Sequence, residues 1–184
     1  MSSTPRTLRR AGALVVAGVT SLAADAALAR PRAGAPAPDV RLEDAEGRAV
    51  QLQAFHGKPI LIVYEDRDSS QQNQVLKDEL AKLAAGDRYK SGIALAAVAD
   101  VSEYDFWPAR GFVKDAIREE SRKQGTTIYC DWTGRLRDAL QLKRGVSNVV
   151  LVGKRGQVLF AADGPLPTED RKRLIALLRT EVEG

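Results

Sequence analysis

The stretch Gly57-Lys58-Pro59-Ile60-Leu61-Ile62-Val63-Tyr64 constrains the fold of this chain more than any other. A continuous apolar run headed by proline predicts a strand buried on both faces, because Pro has no N–H to give a ladder and is tolerated at a strand's first residue. The strand empties into a polar loop, Glu65-Asp66-Arg67-Asp68-Ser69-Ser70-Gln71-Gln72. Apolar residues then recur at Leu76, Leu80, Leu83 and Ala84, with Val75 beside them, which is helical spacing. Ser69 or Ser70 is the expected helix cap, and Gly86 the expected stop.

The alternation continues along the chain. Residues 40–44 and 48–52 flank Ala45-Glu46-Gly47 and predict a short hairpin with Gly47 in the turn. Residues 93–99 read as a second strand buried on both faces. Residues 101–111 read as a loop carrying Tyr104, Phe106, Trp107 and Pro108, with packing onto the core the expected fate of its aromatics. Residues 112–124 read as a helix with Phe112, Val113, Ala116 and Ile117 inward, ending at Gly125. A third strand spans 126–130, and a helical turn spans 135–142. Residues 149–152 and 157–161 form a hairpin across Gly153-Lys154-Arg155-Gly156. Thr168 is the expected cap of a last helix with Glu169 and Asp170 in its first turn and a stripe of Leu174, Leu177, Leu178 and Val182. Buried strands alternating with helices predict an α/β fold, a central mixed sheet flanked by helices.

Residues 1–29 have the order of a secretory signal peptide. Arg6, Arg9 and Arg10 precede the apolar run from Ala11 to Ala24, and Ala27-Leu28-Ala29 fits a cleavage site. The run is short of the ~20 apolar residues of a membrane span, and no later run is long enough to be one. Residues 30–39, with Pro31, Pro36 and Pro38, read as a Pro/Ala linker, and 40–184 as one domain of a size that supports its own core. The expected location is periplasmic or secreted. Without residues 1–29 the net charge falls from +4 to +2, so the basic balance is partly an export feature and no nucleic-acid footprint is implied. With Cys130 its only cysteine, the chain cannot form an internal disulfide.

Pro38-Asp39-Val40-x-Leu42, Asp44, Gly47, Val50-x-Leu52 and Phe55-x-Gly57-Lys58-Pro59 resemble the opening segment of redoxin and thioredoxin-like thiol proteins. Asp87-Arg88-Tyr89, Phe112-Val113, Asp131-Trp132-x-Gly134, Val149-Val150-Leu151-Val152, Gly156-Gln157-Val158 and Asp163-Gly164-Pro165-Leu166-Pro167-Thr168-Glu169 are similar to the YtfJ family of small exported bacterial proteins. The resemblance spans roughly residues 36–180 and implies a thioredoxin-like fold. Reductase-type members carry Cys-x-x-Cys in the loop after the first buried strand; here Ser69 and Gln72 fall near those positions. Many members have a cis-proline before the later strand; here the segment reads Gly145-Val146-Ser147-Asn148. The YtfJ-like group is itself expected to lack the dithiol.

Reductive chemistry needs a thiolate at a helix N-terminus, and a serine hydroxyl is no substitute near pH 7. Cys130, the only candidate thiol, falls at a strand end beside Asp131, where burial and an adjacent acid would raise its pKa; a small core residue is the expected role. Glu65, Asp66 and Asp68 surround Arg67 at the ligand end of an α/β sheet. They suit a solvated loop with Arg67 paired to a neighbour, the sharper alternative being a hard-cation site. His56 is the sole histidine, too little for zinc. No metal or cofactor is therefore implied. The expected function is non-catalytic binding of an envelope protein or small ligand through Asp66, Arg67, Asp68, Ser69, Gln72 and Trp107. The alternative is a thiol oxidoreductase or peroxidase using Cys130.

Overall fold

The computed structural model describes residues 31–55 and 57–184. Strands β1 (Arg41–Asp44) and β2 (Ala49–Gln51) form the expected hairpin. Asp44 makes its turn: the carboxylate accepts from the N–H groups of Glu46 at 3.0 Å and Arg48 at 2.8 Å, while Gly47 takes φ +87°. Then follow β3 (Ile60–Glu65), α1 (Gln74–Ala84), α2 (Asp87–Gly92), β4 (Ala94–Asp100), α3 (Ala109–Gln124), β5 (Ile128–Asp131), α4 (Arg135–Ala139), β6 (Asn148–Val152), β7 (Val158–Asp163) and α5 (Thr168–Glu183). Short 3-10 turns cover Leu52–Phe55 and Ser102–Tyr104.

One mixed sheet runs β2-β1-β5-β4-β3-β6-β7. The neighbours β3, β4 and β5 are parallel; β6 is antiparallel to β3 and β1 to β5. Strand pleating sends alternate residues of β3 to opposite layers. Leu61 and Val63 meet Val149, Leu151 and Phe160, covered by Leu76 of α1 and by Leu174 and Leu178 of α5. Ile60, Ile62 and Tyr64 meet Ala96, Val98, Val150 and Val152, covered by Leu136 and Leu140 at α4 and by Leu52. Each such Leu or Ile, fully buried, contributes roughly 1.5–3 kcal/mol. A third cluster sits under α3, where Val113 and Ile117 pack on Val101, Cys130 and Trp132.

Several expectations change. Helix α1 starts at Gln74, with Asn73 at the cap position, so neither Ser69 nor Ser70 caps it. Thr168 is the first helical residue of α5 and Pro167 holds the cap position; the Thr168 hydroxyl lies 3.4 Å from Arg171 Nη2. Helix α2 was not expected; its Tyr89 hydroxyl bonds Glu183 at the end of α5. Strand β4 is buried on one face only. Ala96 and Val98 are buried, but Leu95 is exposed and Ala97 and Ala99 are half-buried. The reason is lateral spacing: α1 packs on β3 and β6, α3 packs on β5, and β4 lies in the gap. Phe112 and Ala116 of α3 point outward, against expectation. The Pro/Ala segment is docked on β7, Gly34 N–H donating to Val158 O and Val158 N–H to Ala35 O, both at 2.8 Å. The proposed leader lies outside the described residues. No helix among the described residues is long and apolar enough to cross a membrane.

Candidate functional site

The C-terminal ends of β3, β4 and β5 and the start of β6 lie at one end of the sheet, because Tyr64 pairs with both Val98 and Asn148. Their loops are tied together. Gly145 N–H donates to Asp66 Oδ2 at 3.0 Å, and Arg144 pairs with Glu103 at 3.2 Å.

The loop after β3 is consumed by internal bonds. Ser69 is fully buried; its hydroxyl donates to Asp66 Oδ1 at 2.7 Å and accepts from Asp66 N–H at 3.0 Å. Gln72 Oε1 accepts from Ser147 N–H at 3.0 Å. Asn73 reaches over to the segment before α5, its amide donating to Ser147 Oγ and Gly164 O and accepting from Leu166 N–H at 2.8 Å. Ser147 Oγ donates to Glu65 Oε1 at 2.8 Å, and Lys77 Nζ bridges Glu65 Oε2 and Ser70 O, both at 2.6 Å. The buried side-chain donors here, Ser69 Oγ, Asn73 Nδ2 and Ser147 Oγ, each have an acceptor, as buried polar groups require. In place of a reactive pair stands a satisfied polar latch between the first loop, β6 and the approach to α5.

Of the six expected binding residues, then, Asp66, Ser69 and Gln72 are committed to the latch. Arg67 and Asp68 face solvent, and Arg67 pairs with no acid among the described residues, contrary to the expected pairing. Trp107 is 92% exposed, and Phe106 at 60% and Tyr104 at 41% flank it. These aromatics do not pack onto the core. The Trp107–Pro108 peptide is cis, whereas no cis bond occurs at 145–148. Among the described residues no three of His, Cys, Asp and Glu cluster as a metal site, and Glu65 and Asp66 are already occupied. His56 lies outside the described residues.

Cys130 is 2% exposed. Burial first, then the Glu43 carboxylate, pushes its thiol up to about 12. The responsible acid comes from β1, where Glu43 is the cross-strand partner of Cys130. Asp131 turns to the other face, where it accepts from Tyr64 OH and from the N–H groups of Arg135, Leu136 and Arg137. Glu43 in turn takes Lys114 at 2.7 Å and Arg110 at 3.4 Å, and burial opposes but does not outweigh the Lys114 bond in lowering its carboxyl. Arg110 stands 4.5 Å over the Trp132 ring, a cation–π contact that fastens α3 to the sheet.

Sequence reasoning missed the buried cluster on the opposite face. Arg137 Nη1 donates to Asp100 at 2.9 Å and to Ser102 Oγ at 3.0 Å. Gly134, at φ +69°, leaves room for that guanidinium: a Cβ there would lie 2.1 Å from Arg137 Nη2. The signal was present in Asp131-Trp132-x-Gly134, an acid and a glycine set to cap a short helix.

Residues 63–181 match the family YtfJ_HI0045, described as a bacterial protein of unknown function. The chain belongs to the YtfJ family. The match begins inside β3, so the hairpin motifs before it belong to the broader thioredoxin-like resemblance. No curated protein matches the chain. Among solved structures, the chain is similar to a protein from Chlorobium tepidum named for DsbE-type thiol:disulfide interchange: 19% identity, TM-score 0.63, 82% of this chain and 98% of the other covered. The exposed lipoprotein thioredoxin Etrx1 of Streptococcus pneumoniae matches at 16% identity and TM-score 0.58, over 78% and 99% of the two chains. The thioredoxin domain of a thiol-disulfide oxidoreductase from Bacteroides vulgatus matches at 19% and 0.55, over 79% and 96%. At these identities the likeness shows the fold: this YtfJ-family chain is thioredoxin-like.

Proposed function

We propose that this YtfJ-family chain is an exported, thioredoxin-like binding protein of the bacterial envelope that acts by contact and not by thiol exchange. Its surface is the loop end of the sheet, with Trp107, Phe106, Arg67 and Asp68 touching an envelope protein or small ligand. Asp66, Ser69 and Gln72 hold that surface in shape from beneath. The observation that carries the reading is Trp107. A large aromatic left almost wholly in water, at the end where this fold binds its partners, costs apolar exposure that only a partner recovers. Export rests on the leader pattern of residues 1–29, with cleavage near Ala29 and a periplasmic or secreted product.

Cys130 does not favour the thiol-enzyme alternative. Burial and the Glu43 carboxylate push its thiol up to about 12 and keep it protonated at neutral pH, whereas exchange chemistry needs the thiolate. A photoreactive amino acid in place of Trp107, crosslinked in intact cells, tests the binding reading. We expect discrete adducts that weaken when Arg67→Ala is added. Adducts no different from those at Ala139, on the far face, would overturn it.

A further inference from the structure

The sheet end opposite the loops gathers positive charge. Ile60 pairs with both Ala94 and Val152, so the chain entering β3, the end of α2 and the β6–β7 turn lie side by side there. Lys58, Lys90 and the pair Lys154-Arg155 come from these three places, and all are exposed. The end of α5 joins them, because Glu181 Oε2 accepts from the Lys154 N–H at 2.8 Å and Glu183 accepts from Tyr89 OH of α2. Arg88 and Arg179, both exposed, stand close enough for their charges to act on the Tyr89 hydroxyl. Adjacent strand ends lie about 5 Å apart, inside a Debye length of about 8 Å, so these charges act together. Three acids of the same elements, Asp87, Glu181 and Glu183, oppose the six cations. None of the six makes an ion pair among the described residues.

We propose that this basic end docks on the phosphate headgroups of an anionic membrane leaflet and so turns the Trp107 end away from the lipid. The envelope setting rests on the export reading; the docking itself rests on charge complementarity. The cations come from four separate elements and spread over one end of the molecule. A membrane plane meets such a set at once and needs no matched shape, each Lys or Arg near it contributing roughly fivefold in affinity. A nucleic-acid strand would want aromatics to stack on, and Tyr89, the one aromatic in these elements, is half-buried and bonded to Glu183. No large apolar side chain of these elements is exposed, so the contact is peripheral and electrostatic and not an insertion. The loop end is built otherwise. Acids stand among its cations, Asp68 beside Arg67, Glu103 on Arg144 and Asp105 on Arg110, and its aromatics are the exposed ones.

Co-sedimentation of the purified protein with vesicles tests this, independently of export and of what the loop end binds. The expected result is binding to vesicles of mixed phosphatidylglycerol and phosphatidylcholine, none to phosphatidylcholine alone, and release as salt rises and screens the charges. The double variants Lys154→Glu/Arg155→Glu and Arg88→Glu/Lys90→Glu should each weaken binding roughly tenfold or more, with melting temperatures unchanged because all four positions are exposed. Trp107→Ala should bind the vesicles as wild type does, which separates this proposal from the binding role of the loop end. Absence of vesicle binding, equal binding to the neutral vesicles, or indifference to both double variants would each overturn the proposal. So would binding lost in Trp107→Ala, which would make the aromatic loop the membrane contact, or binding to DNA and not to vesicles.

Discussion

The side-chain oxygen of Gln72 accepts a 3.0 Å hydrogen bond from the backbone N–H of Ser147. It ties the loop after β3 to the segment before β6, the two places where dithiol members of this fold carry cysteines and a cis-proline. The departure from thiol chemistry is therefore larger than two side chains: Ser69 is buried on Asp66, and α1 begins only at Gln74.

Restoring cysteines should accordingly not restore activity. In the double variant Ser69→Cys/Gln72→Cys, the first thiol replaces a fully buried hydroxyl and lies outside the first turn of α1, away from the dipole that lowers a thiol pKa. Loss of the Asp66 and Ser147 bonds should lower stability by about 1–3 kcal/mol. Insulin reduction should remain at the uncatalysed rate. Reductive turnover by the double variant would show that the latch is not what separates this chain from a reductase.

Gly134 and Gly145 offer a paired test of backbone against packing. Both have positive φ, +69° and +73°. A methyl at 145 meets nothing within 4 Å, whereas at 134 it meets the Arg137 guanidinium. Gly145→Ala should cost about 1–2 kcal/mol of left-handed strain. Gly134→Ala should cost clearly more, because Arg137 must also leave Asp100. Urea unfolding of the two variants decides it, and equal losses would contradict the assigned role of Gly134.

Acid stability should report on Asp100. Burial raises its carboxyl, but the bonds from Ser102 and Arg137 prevail and hold it below the ordinary carboxylate range. A lowered folded pKa contributes stability that is present above the unfolded value, about 4, and is lost as pH falls through the folded one. Wild type should thus weaken below about pH 4. Arg137→Met leaves a buried, unpaired carboxylate, at a cost of roughly 3–5 kcal/mol at pH 7. Burial then weighs against the Ser102 bonds alone and the folded carboxyl rises from its wild-type value, so the deficit of that variant should narrow between pH 7 and pH 3. Urea midpoints at the two pH values measure this. A deficit that stays constant would mean Asp100 is not the group concerned.

Much of the frame was legible in the sequence. The apolar run before Tyr64 gave away β3, Gly47 the first hairpin, and Gly125 the end of α3, because each depends on a local pattern. What escaped depends on distant partners. Ser69 was expected to cap α1, but its hydroxyl turns back to Asp66, while Asn73 at the cap position spends its amide on Ser147, Gly164 and Leu166. Strand β4 is apolar enough for two covered faces, yet helix placement leaves one open. In α3, Phe112 fits the helical period, but Glu43 draws Arg110 and Lys114 to the sheet side and rotates Phe112 out. Of the candidate site, the gathering of these loops at one end of the sheet was legible; the exposure of Trp107, expected on the core, and the division between buried latch and exposed surface were not, since no local pattern distinguishes Asp66 from Asp68.

The central claim is that the protein works without sulfur chemistry, and disulfide turnover by wild type beside Cys130→Ser measures it most directly. We predict that both run at the uncatalysed rate and that a thiol reagent at neutral pH labels Cys130 only after unfolding. Wild-type turnover that disappears with the serine would contradict the account.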